Sequence, residues 1–341
     1  MKLPSELFAR LSVAFANKAV CVTGGAGFIG GHLVDALVSM QPQVRQITVL
    51  DDLSNSTLEH LSGLIELEPS RIRFVNGSIL DDDAVHEALE DASVVFHLAA
   101  VGSVSASLKD PQRSWSVNAT GTVRVLEAAR RLGAGRVVLA SSSSVYGNVG
   151  GDQPTAKSES MPVHPVSPYA ASKASAENAV AAWSKSYGLS GVSLRYFNVF
   201  GPRQPIESQY AAVIPTMTAK LLSGQNPVIY GDGRQSRDFT PVSCAVLGTL
   251  LAGVASADLR GQAINIGMGE RTDLLALLEM LQKQVGTNLV PNFQPTRVGD
   301  VRHSLADISL AKQLLGYTPV STLQATLLET VEHIKDEVQR R

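Results

Sequence analysis

The fold is set by one short stretch, Lys18-Ala-Val-Cys-Val-Thr-Gly-Gly-Ala-Gly-Phe-Ile-Gly30. Its apolar first half predicts a buried strand, and the residues from His32 to Met40 predict the opening of a helix. The glycines between them allow a tight turn and let the backbone approach a pyrophosphate at the helix N-terminus. A strand, a glycine turn and a helix in this order match the fingerprint of a dinucleotide-binding fold.

A second apolar strand, Gln46 to Leu50, ends in Asp51. An acid about 20 residues beyond the glycine turn accepts hydrogen bonds from the ribose hydroxyls of the cofactor and repels a 2′-phosphate. The sequence therefore predicts NAD rather than NADP.

Further apolar strands alternate with helical stretches along the chain, at 71–75, 93–98, 136–141 and 191–195. This pattern predicts an α/β fold with a doubly wound parallel sheet. We expect an NAD-binding Rossmann domain over residues 1–197, with a return segment at about 238–268. We expect a smaller mixed α/β substrate domain from 198–237 and 269–341.

Composition excludes several classes of protein. Charged residues make up 18% of the 341, and the net charge is −2, so no basic field exists to attract nucleic acid or an anionic membrane. Two cysteines, Cys21 and Cys244, argue against a disulfide scaffold or a metal site. The chain has no stretch of about 18 apolar residues, so no membrane-spanning helix is predicted. We expect a cytoplasmic enzyme without a metal ion.

Tyr169 and Lys173 stand four residues apart. Their side chains are suited to redox chemistry on a carbinol. That spacing puts them on one face of a helix, where the ammonium can lie beside the phenol. A neighbouring cation favours the phenolate of a tyrosine whose ordinary pKa is about 10. The strand predicted to end at Ser141 is followed by hydroxyl groups, among them Ser142, that can hydrogen-bond the oxygen Tyr169 would deprotonate.

With these parts in place, the chain resembles the extended short-chain dehydrogenase/reductase family, in its branch of nucleotide-sugar epimerases and dehydratases. The resemblance rests on segments in family order: 23–30, 97–100, 142–147, Tyr169 with Lys173, 194–201, 231–233 and 237–239. It implies that Tyr169 is the catalytic base, that Lys173 binds the nicotinamide ribose and lowers the tyrosine pKa, and that Ser142 holds the reacting hydroxyl.

The same resemblance implies two sets of binding residues. The cofactor set comprises Gly24, Gly27, Phe28, Ile29, Gly30, Asp51, Asn55, Ile79 and Ala99, together with Tyr169 and Lys173. The substrate set comprises Gly102, Ser103, Ser142, Ser143, Ser144, Asn198, Arg237, Arg297 and Ser304. Within it, Asn198, Arg237 and Arg297 match positions that grip the nucleotide diphosphate.

Two other titratable residues near these motifs are expected to be structural. His97 lies in a predicted strand and is expected to pack near the cofactor edge, and Glu177, on the Tyr169 helix, is expected to be a solvated or pairing residue.

The resemblance also bears on the reaction. Relatives that dehydrate or decarboxylate a sugar carry an acid just after the catalytic hydroxyl, where this chain has Ser143 and Ser144. We therefore expect reversible oxidation at C4 of a UDP-sugar, with 4-epimerisation as the net result.

A small residue, Ser304, stands where relatives confined to UDP-glucose carry a tyrosine. It leaves room for a 2-acetamido group, so interconversion of UDP-N-acetylglucosamine and UDP-N-acetylgalactosamine is expected. A UDP-glucuronate or N-acetylated uronate substrate is the alternative. An NAD-sensing regulatory protein without turnover is a second alternative, for which loss of Tyr169, Lys173 or Ser142 would be expected. The resemblance also implies a homodimer through two helices, at about 111–132 and 169–187.

Overall fold

A computed structural model describes residues 3–151, 153–206, 212–296 and 301–340. Its strands are β1 Ala19–Thr23, β2 Gln46–Asp51, β3 Ile72–Asn76, β4 Val94–His97, β5 Arg136–Ser142, β6 Gly191–Tyr196, β7 Val199–Phe200, β8 Val228–Tyr230, β9 Ser236–Arg237, β10 Thr240–Pro241, β11 Arg260–Ile266, β12 Thr272–Asp273, β13 Asn292–Gln294 and β14 His303–Ser304. Its α-helices are α1 Ser5–Phe15, α2 Phe28–Val38, α3 Glu59–Leu67, α4 Asp82–Leu89, α5 Val104–Lys109, α6 Pro111–Trp115, α7 Thr122–Arg131, α8 Pro168–Tyr187, α9 Val213–Leu222, α10 Val242–Val254, α11 Leu274–Val285, α12 Ser309–Leu315 and α13 Leu323–Arg340.

Seven of these strands form one sheet in the order β11-β6-β5-β4-β1-β2-β3, and every neighbouring pair is parallel. The predicted doubly wound sheet is confirmed. Its strands read as continuous apolar runs because helices cover both faces. In β1, Val20 and Val22 face one apolar core, whereas Cys21 faces the other. Helices α1, α2, α10 and α12 pack on the first face, and α4, α7 and α8 on the second.

Strand β1 lies inside the sheet between β2 and β4, and the chain order reverses direction between β1 and β4. In open parallel sheets, ligands bind beyond the carboxyl ends of the strands at such a reversal. The glycine turn follows β1 directly, so it lies at this position.

A third apolar cluster lies apart from the sheet, between α9, α11 and α13, with Leu221, Leu277 and Leu327 among its buried members. We propose that this cluster is the core of the substrate domain expected from the sequence. The short strands β9, β12 and β14 form a three-stranded sheet beside it.

Helix α8 is defined by local signals in the sequence. The Ser167 Oγ accepts a hydrogen bond from the Ala170 N–H at 3.1 Å and caps the N-terminus, where Pro168 occupies the first turn. Gly188 ends the helix in the left-handed conformation, with φ +73°. These signals fix the helix that carries Tyr169 and Lys173.

The helix expected over 111–132 contains a turn that the sequence did not predict. Residues 116–121 are π-helical and separate α6 from α7. Such a turn adds one residue to the helical repeat and is frequent at functional sites. The π-helical turn places Asn118 in the protein interior, where its side chain is buried.

No helix in the described ranges has the length and apolar character needed to cross a lipid bilayer.

Candidate active site

A cleft of about 980 Å³ lies at the carboxyl ends of the central strands. The predicted site residues that line it are Gly24, Gly27, Phe28, Ile29, Gly30, Asp51, Asn55, Ile79, Ala99, Gly102, Ser103, Ser142, Ser143, Ser144, Tyr169, Lys173, Asn198, Arg237 and Ser304. Arg297 lies outside the described residues. The structure therefore brings together side chains from nearly the whole length of the chain.

The glycine turn is packed closely against its own backbone and the start of the loop after β4. A Cβ on Gly24, whose φ is +71°, would lie 2.6 Å from the Ala99 nitrogen, and a Cβ on Gly30 would overlap the Gly24 carbonyl oxygen. Helix α2 begins just after the turn, and no side chain caps its N-terminus. Free N–H groups at a helix N-terminus are donors for phosphate oxygens.

Asp51 is buried at the end of β2 and held by its neighbours. Its carboxylate accepts hydrogen bonds from the Ala26 N–H at 3.0 Å, the Leu53 N–H at 3.0 Å and the Ser56 hydroxyl at 2.9 Å. A carboxylate in this position can accept ribose hydroxyls and disfavours a phosphate there. The turn and this acid together fit the dinucleotide that the sequence predicts.

Tyr169 and Lys173 meet Ser142 at the centre of the cleft. The Ser142 hydroxyl, at the end of β5, faces the Tyr169 phenol across the same cleft. The Lys173 Nζ donates to the Ala140 carbonyl oxygen of the same strand at 2.8 Å. Two residues of one helix and one residue of one strand therefore form a compact triad.

The direction of the Tyr169 pKa differs from the one expected from the sequence. Burial raises the pKa of Tyr169, and the hydrogen bond from Ser142 opposes this rise. Burial also lowers the pKa of Lys173 to about 8, against the opposing charge of Glu177. Both groups lie inside the protein, where desolvation penalises either charged form, so the protein's own groups do not favour the phenolate.

Glu177, expected from the sequence to be a solvated or pairing residue, lies in a buried ion pair. Its carboxylate binds the Arg195 guanidinium through both oxygens, with a closest distance of 2.7 Å, and accepts the Ser141 hydroxyl at 2.5 Å. The Arg195 guanidinium in turn lies over the Tyr146 ring, 4.6 Å from its centroid. This pair anchors α8 to β5 and β6 beneath the triad.

Asn118, which the sequence analysis did not single out, is a buried residue behind the cleft wall. Its amide accepts from the Val101 N–H at 2.8 Å and donates to the Ser172 Oγ at 3.0 Å. Ser172 in turn donates to the Tyr169 carbonyl oxygen at 2.8 Å. Asn118 thus ties the loop after β4 to helix α8. A single asparagine in a helical stretch carries no distinguishing pattern, so only the π-helical turn reveals it.

His97 joins the glycine strand to the same turn. Its Nδ1 lies 2.7 Å from the Thr23 hydroxyl, and its Nε2 lies 3.0 Å from the Thr122 hydroxyl. Because Thr122 donates its own proton to the Asn118 carbonyl, it accepts from Nε2–H, and Nδ1 accepts from Thr23. Burial and the nearby Lys173 charge lower the pKa of His97 to about 3. His97 is therefore a neutral packing residue, as expected from the sequence.

The substrate end of the cleft is organised by Asp238, another residue that the sequence reasoning missed. Its buried carboxylate accepts from the N–H groups of Met268, Gly269 and Ala306 at 2.8, 2.9 and 3.2 Å. Burial raises the pKa of Asp238 to about 6. It fixes the two segments around it, 268–269 and the residues just after β14, whose Ser304 pairs with Arg237 of β9.

The remaining predicted substrate residues differ in whether other groups of the protein already contact them. Ser103 caps α5, since its Oγ accepts from the Ala106 N–H at 3.1 Å. A Cβ on Gly102 would meet no atom within 4 Å. The Ser144 hydroxyl is buried and has no hydrogen-bond partner among the described residues. Gln204, which the sequence reasoning missed, also lines the cleft.

The described ranges contain no cluster of three or more histidine, cysteine or acidic side chains that could hold a metal ion. Cys21 and Cys244 are buried free thiols, as the sequence led us to expect.

Known proteins resemble this chain over nearly its full length. It is 38% identical to a UDP-glucose 4-epimerase of Mycolicibacterium smegmatis over 320 residues, which cover 93% of this chain and 99% of the relative. Among solved structures, it is similar to a UDP-N-acetylglucosamine 4-epimerase from Methanobrevibacter ruminantium in complex with UDP-N-acetylmuramic acid. That similarity has a TM-score of 0.85 at 36% identity and covers 94% of this chain and 99% of the other.

A second solved structure is a UDP-glucuronic acid 4-epimerase from Bacillus cereus in complex with UDP-glucuronic acid and NAD. It has a TM-score of 0.85 at 33% identity, over 94% of this chain and 99% of the other. The profile of the NAD dependent epimerase/dehydratase family matches residues 20–267. The resemblance and the cofactor predicted from the sequence are both confirmed, and the chain belongs to the NAD dependent epimerase/dehydratase family.

Proposed function

We propose that this protein is a UDP-sugar 4-epimerase that interconverts UDP-N-acetylglucosamine and UDP-N-acetylgalactosamine. The observation that carries the proposal is the triad of Tyr169, Ser142 and Lys173 in a cleft without an acid beside it. Among the described residues, the carboxylates that line the cleft are Asp51, Asp52 and Asp110, and hydroxyls occupy positions 143 and 144. The cleft therefore offers a base for a sugar hydroxyl but no second acid for elimination at a neighbouring carbon.

The triad's chemistry follows from its contacts. Ser142 orients the C4 hydroxyl toward the Tyr169 oxygen, which takes the proton. Bound NAD would supply the acceptor for the C4 hydride and the donor that returns it to the opposite face of the sugar, and its positively charged ring would favour the phenolate. Lys173, held at Ala140, keeps a positive charge near the same site. The 4-keto sugar turns about its diphosphate link and Tyr169 returns the proton, so the configuration at C4 is inverted.

An adjoining cavity of about 490 Å³ suits the uridine base. It shares Asn198 and Arg237 with the main cleft, and apolar or aromatic side chains, among them Phe200, Ile214 and Phe239, form its wall. An apolar wall with a few polar groups is the usual environment of a bound planar base. With the base there, Asn198 and Arg237 lie between base and sugar, where the diphosphate must pass. Guanidinium donors suit phosphate oxygens.

The sugar preference rests on the small side chain of Ser304. A serine at this wall of the cleft leaves volume that a tyrosine would fill, and a 2-acetamido group needs that volume. Removing a steric clash permits a substrate without demanding it, so UDP-glucose is expected to react as well.

The test is incubation of the purified protein with UDP-N-acetylglucosamine, without added NAD, and product analysis by proton NMR. Appearance of UDP-N-acetylgalactosamine is the expected result. Turnover restored only by added NAD would keep the reaction and show a weakly held cofactor. No reaction with this sugar, UDP-glucose or UDP-glucuronate would contradict the proposal and favour an NAD-sensing protein.

A second candidate, a UDP-uronate 4-epimerase, is favoured by one specific observation. Lys157, a buried lysine, lines the cleft. A cation in the sugar site would suit a sugar that carries a carboxylate.

A further inference from the structure

Helix α8 turns three titratable side chains toward the end of strand β5. Tyr169, Lys173 and Glu177 follow one another at four-residue intervals, so they share one face of the helix. The triad uses the first two. Glu177 is the third, and its side chain is buried. A buried carboxylate is energetically unfavourable unless its charge and its acceptor sites are matched, so the partners of Glu177 indicate its role.

Strand β5 ends against this face of the helix. The Ala140 carbonyl oxygen accepts from the Lys173 Nζ at 2.8 Å. The next residue, Ser141, donates its hydroxyl proton to the Glu177 carboxylate at 2.5 Å. The residue after it is Ser142, whose hydroxyl belongs to the triad. The bond between Ser141 and Glu177 therefore fixes the residue on which the position of Ser142 depends.

Arg195 of β6 holds the Glu177 carboxylate in one orientation. Its Nε donates to one carboxylate oxygen at 3.0 Å and its Nη2 to the other at 2.7 Å. Both side chains are buried. Two hydrogen bonds from the planar guanidinium fix the plane of the carboxylate, so Glu177 is a rigid acceptor for Ser141.

Glu177 also supplies a negative charge beside Lys173. Burial lowers the pKa of Lys173 to about 8, and the Glu177 carboxylate opposes this fall. The titratable groups that face these two residues from the same helix and from neighbouring elements carry no negative charge: they are Tyr146, Tyr169, Arg195 and the neutral His97. Glu127 of α7, which contacts α8 elsewhere, pairs with Arg130 and Arg131.

We propose that Glu177 is a positioning residue of the active site. Through Ser141 it holds Ser142 in its place beside Tyr169. Its negative charge keeps the Lys173 side chain an ammonium at neutral pH. The inference rests on the proposed function only in taking Tyr169 as the group that removes the sugar proton. It gives the buried ion pair a role in the reaction as well as in the fold.

The charge of Lys173 can be measured without substrate, by carbon-13 NMR of protein labelled at the lysine Cε. Lys173→Arg identifies the signal, which is expected to titrate at about pH 8 in the native chain. In Glu177→Gln the midpoint is expected to fall by about one pH unit or more, because an opposite charge close to the ammonium is lost. Glu87→Gln breaks an exposed ion pair with Arg73 and is the control, with a native midpoint expected.

A second variant guards against loss of the fold. Glu177→Gln leaves Arg195 as a buried cation without its counter-ion, which destabilises the chain. Combining Glu177→Gln with Arg195→Met removes both charges, a replacement that folded proteins often tolerate. The same downward shift of the Lys173 midpoint is expected in the double variant.

Ser141→Ala tests the positioning of Ser142, since it removes the hydrogen bond to Glu177 and leaves every charge in place. With the UDP-sugar that the native chain turns over, kcat is expected to fall about threefold to tenfold and KM to change less than about twofold. The Lys173 midpoint is expected to stay native. Ser193→Ala is the matched control, because Ser193 is a buried serine of β6 whose hydroxyl has no hydrogen-bond partner among the described residues.

Either of two results would overturn the inference. One is a native Lys173 midpoint in both Glu177 variants, and the other is a kcat for Ser141→Ala equal to that of Ser193→Ala. Failure of the proposed function would look different: the native chain would turn over none of UDP-N-acetylglucosamine, UDP-glucose and UDP-glucuronate. The lysine titration needs no substrate, so it would still decide the role of Glu177.

Discussion

Tyr169 is half-buried on the wall of the cleft beside Ser142, so its removal tests the base without disturbing the outer surface. Tyr169→Phe keeps the ring and is expected to lower kcat by about 10²- to 10⁴-fold, the usual contribution of a positioned proton-transfer group. Bound NAD, measured after denaturation of the purified protein, is expected to stay the same. The control is Tyr187→Phe on the same helix, where the ring is 58% exposed. Native turnover in Tyr169→Phe would show that another group is the base.

Ser304 lies on the wall of the cleft, and its substitution tests the sugar preference. Ser304→Tyr is expected to lower kcat/KM for UDP-N-acetylglucosamine at least about 100-fold, because overlap with an acetamido group raises the free energy of binding by several kcal/mol. Turnover of UDP-glucose is expected to change much less. Parallel kinetic measurements with the two sugars check this. An equal loss for both would mean that residue 304 shapes the whole site rather than the space for one substituent.

Among individual site residues, the sequence predicted those that belong to contiguous motifs. Tyr169, Lys173 and the glycines stand at fixed spacings that geometry explains. Asn118 and Asp238 could not be predicted, because their roles depend on which backbone groups the fold brings near them. Burial explains the missed direction of the Tyr169 pKa, since desolvation depends on the surrounding protein and is not visible in local spacing.

The glycine turn and helix α2 act as one element. Alanine substitutions at a matched pair of glycines test whether the turn tolerates a side chain. In Gly30→Ala, the added Cβ would overlap the Gly24 carbonyl oxygen, a clash with backbone that no rotamer relieves. A lower melting temperature and at least about tenfold weaker NAD binding are expected. A Cβ on Gly63 of α3 would meet no atom within 4 Å, so Gly63→Ala is expected to stabilise the protein by about 0.5–1 kcal/mol. Unchanged NAD binding in Gly30→Ala would show that the turn tolerates a side chain.

The free energy of unfolding depends on pH through His97, which links β4 to the π-helical turn. The pKa of His97 is about 3 in the folded protein, below its ordinary value of 6.5. The contribution of neutral His97 to the free energy of unfolding is therefore fully present above about pH 6.5. It is lost as the pH falls, by up to about 1.4 kcal/mol per pH unit.

Denaturant unfolding at pH 7.5, 6.0 and 5.0 measures this dependence. His97→Gln removes the titrating group, so its free energy of unfolding is expected to fall less steeply with pH than that of the native chain. His86→Gln, at an exposed position of α4, serves as the control and is expected to keep the native slope. Equal slopes in the native protein and His97→Gln would contradict the assignment.

Elements with a strong periodic pattern were predicted to within a residue or two. The strand expected at 93–98 is Val94–His97, and the strand expected at 136–141 is Arg136–Ser142. The π-helical turn escaped prediction because one inserted residue barely alters the apolar periodicity of 111–132. The domain boundaries stay a prediction.

At the scale of the whole molecule, the helices expected to pair in a homodimer carry exposed apolar side chains. Trp115 of α6 is 48% exposed, and Leu108 of α5, just before the first of these helices, is 52% exposed. Large exposed apolar groups on neighbouring elements often mark a protein interface. We expect light scattering to give the mass of a dimer and Trp115→Glu to shift it to the monomer. Leu67→Glu, at a 79% exposed site on α3, is the control. A native monomer would contradict this expectation.

The assembly of the cleft is the part of the molecule that sequence alone could predict least. Arg237 and Ser304 are far apart in the chain, yet they pair on neighbouring strands. Their proximity depends on the small three-stranded sheet and on Asp238, neither of which has a local signal. The family resemblance implied their roles, and the topology of the chain brings them together.

The last strand of the main sheet has a consequence for synthesis of the protein. Strand β11 comes from residues 260–266 but pairs with β6, which ends at Tyr196. Until the ribosome has released that late segment, β6 presents an open edge. Unpaired strand edges promote association between chains, and contacts of long sequence separation form slowly. A nascent chain that stalls before residue 260 is therefore a natural client for chaperones, and a terminal truncation that removes β11 would be recovered as aggregate.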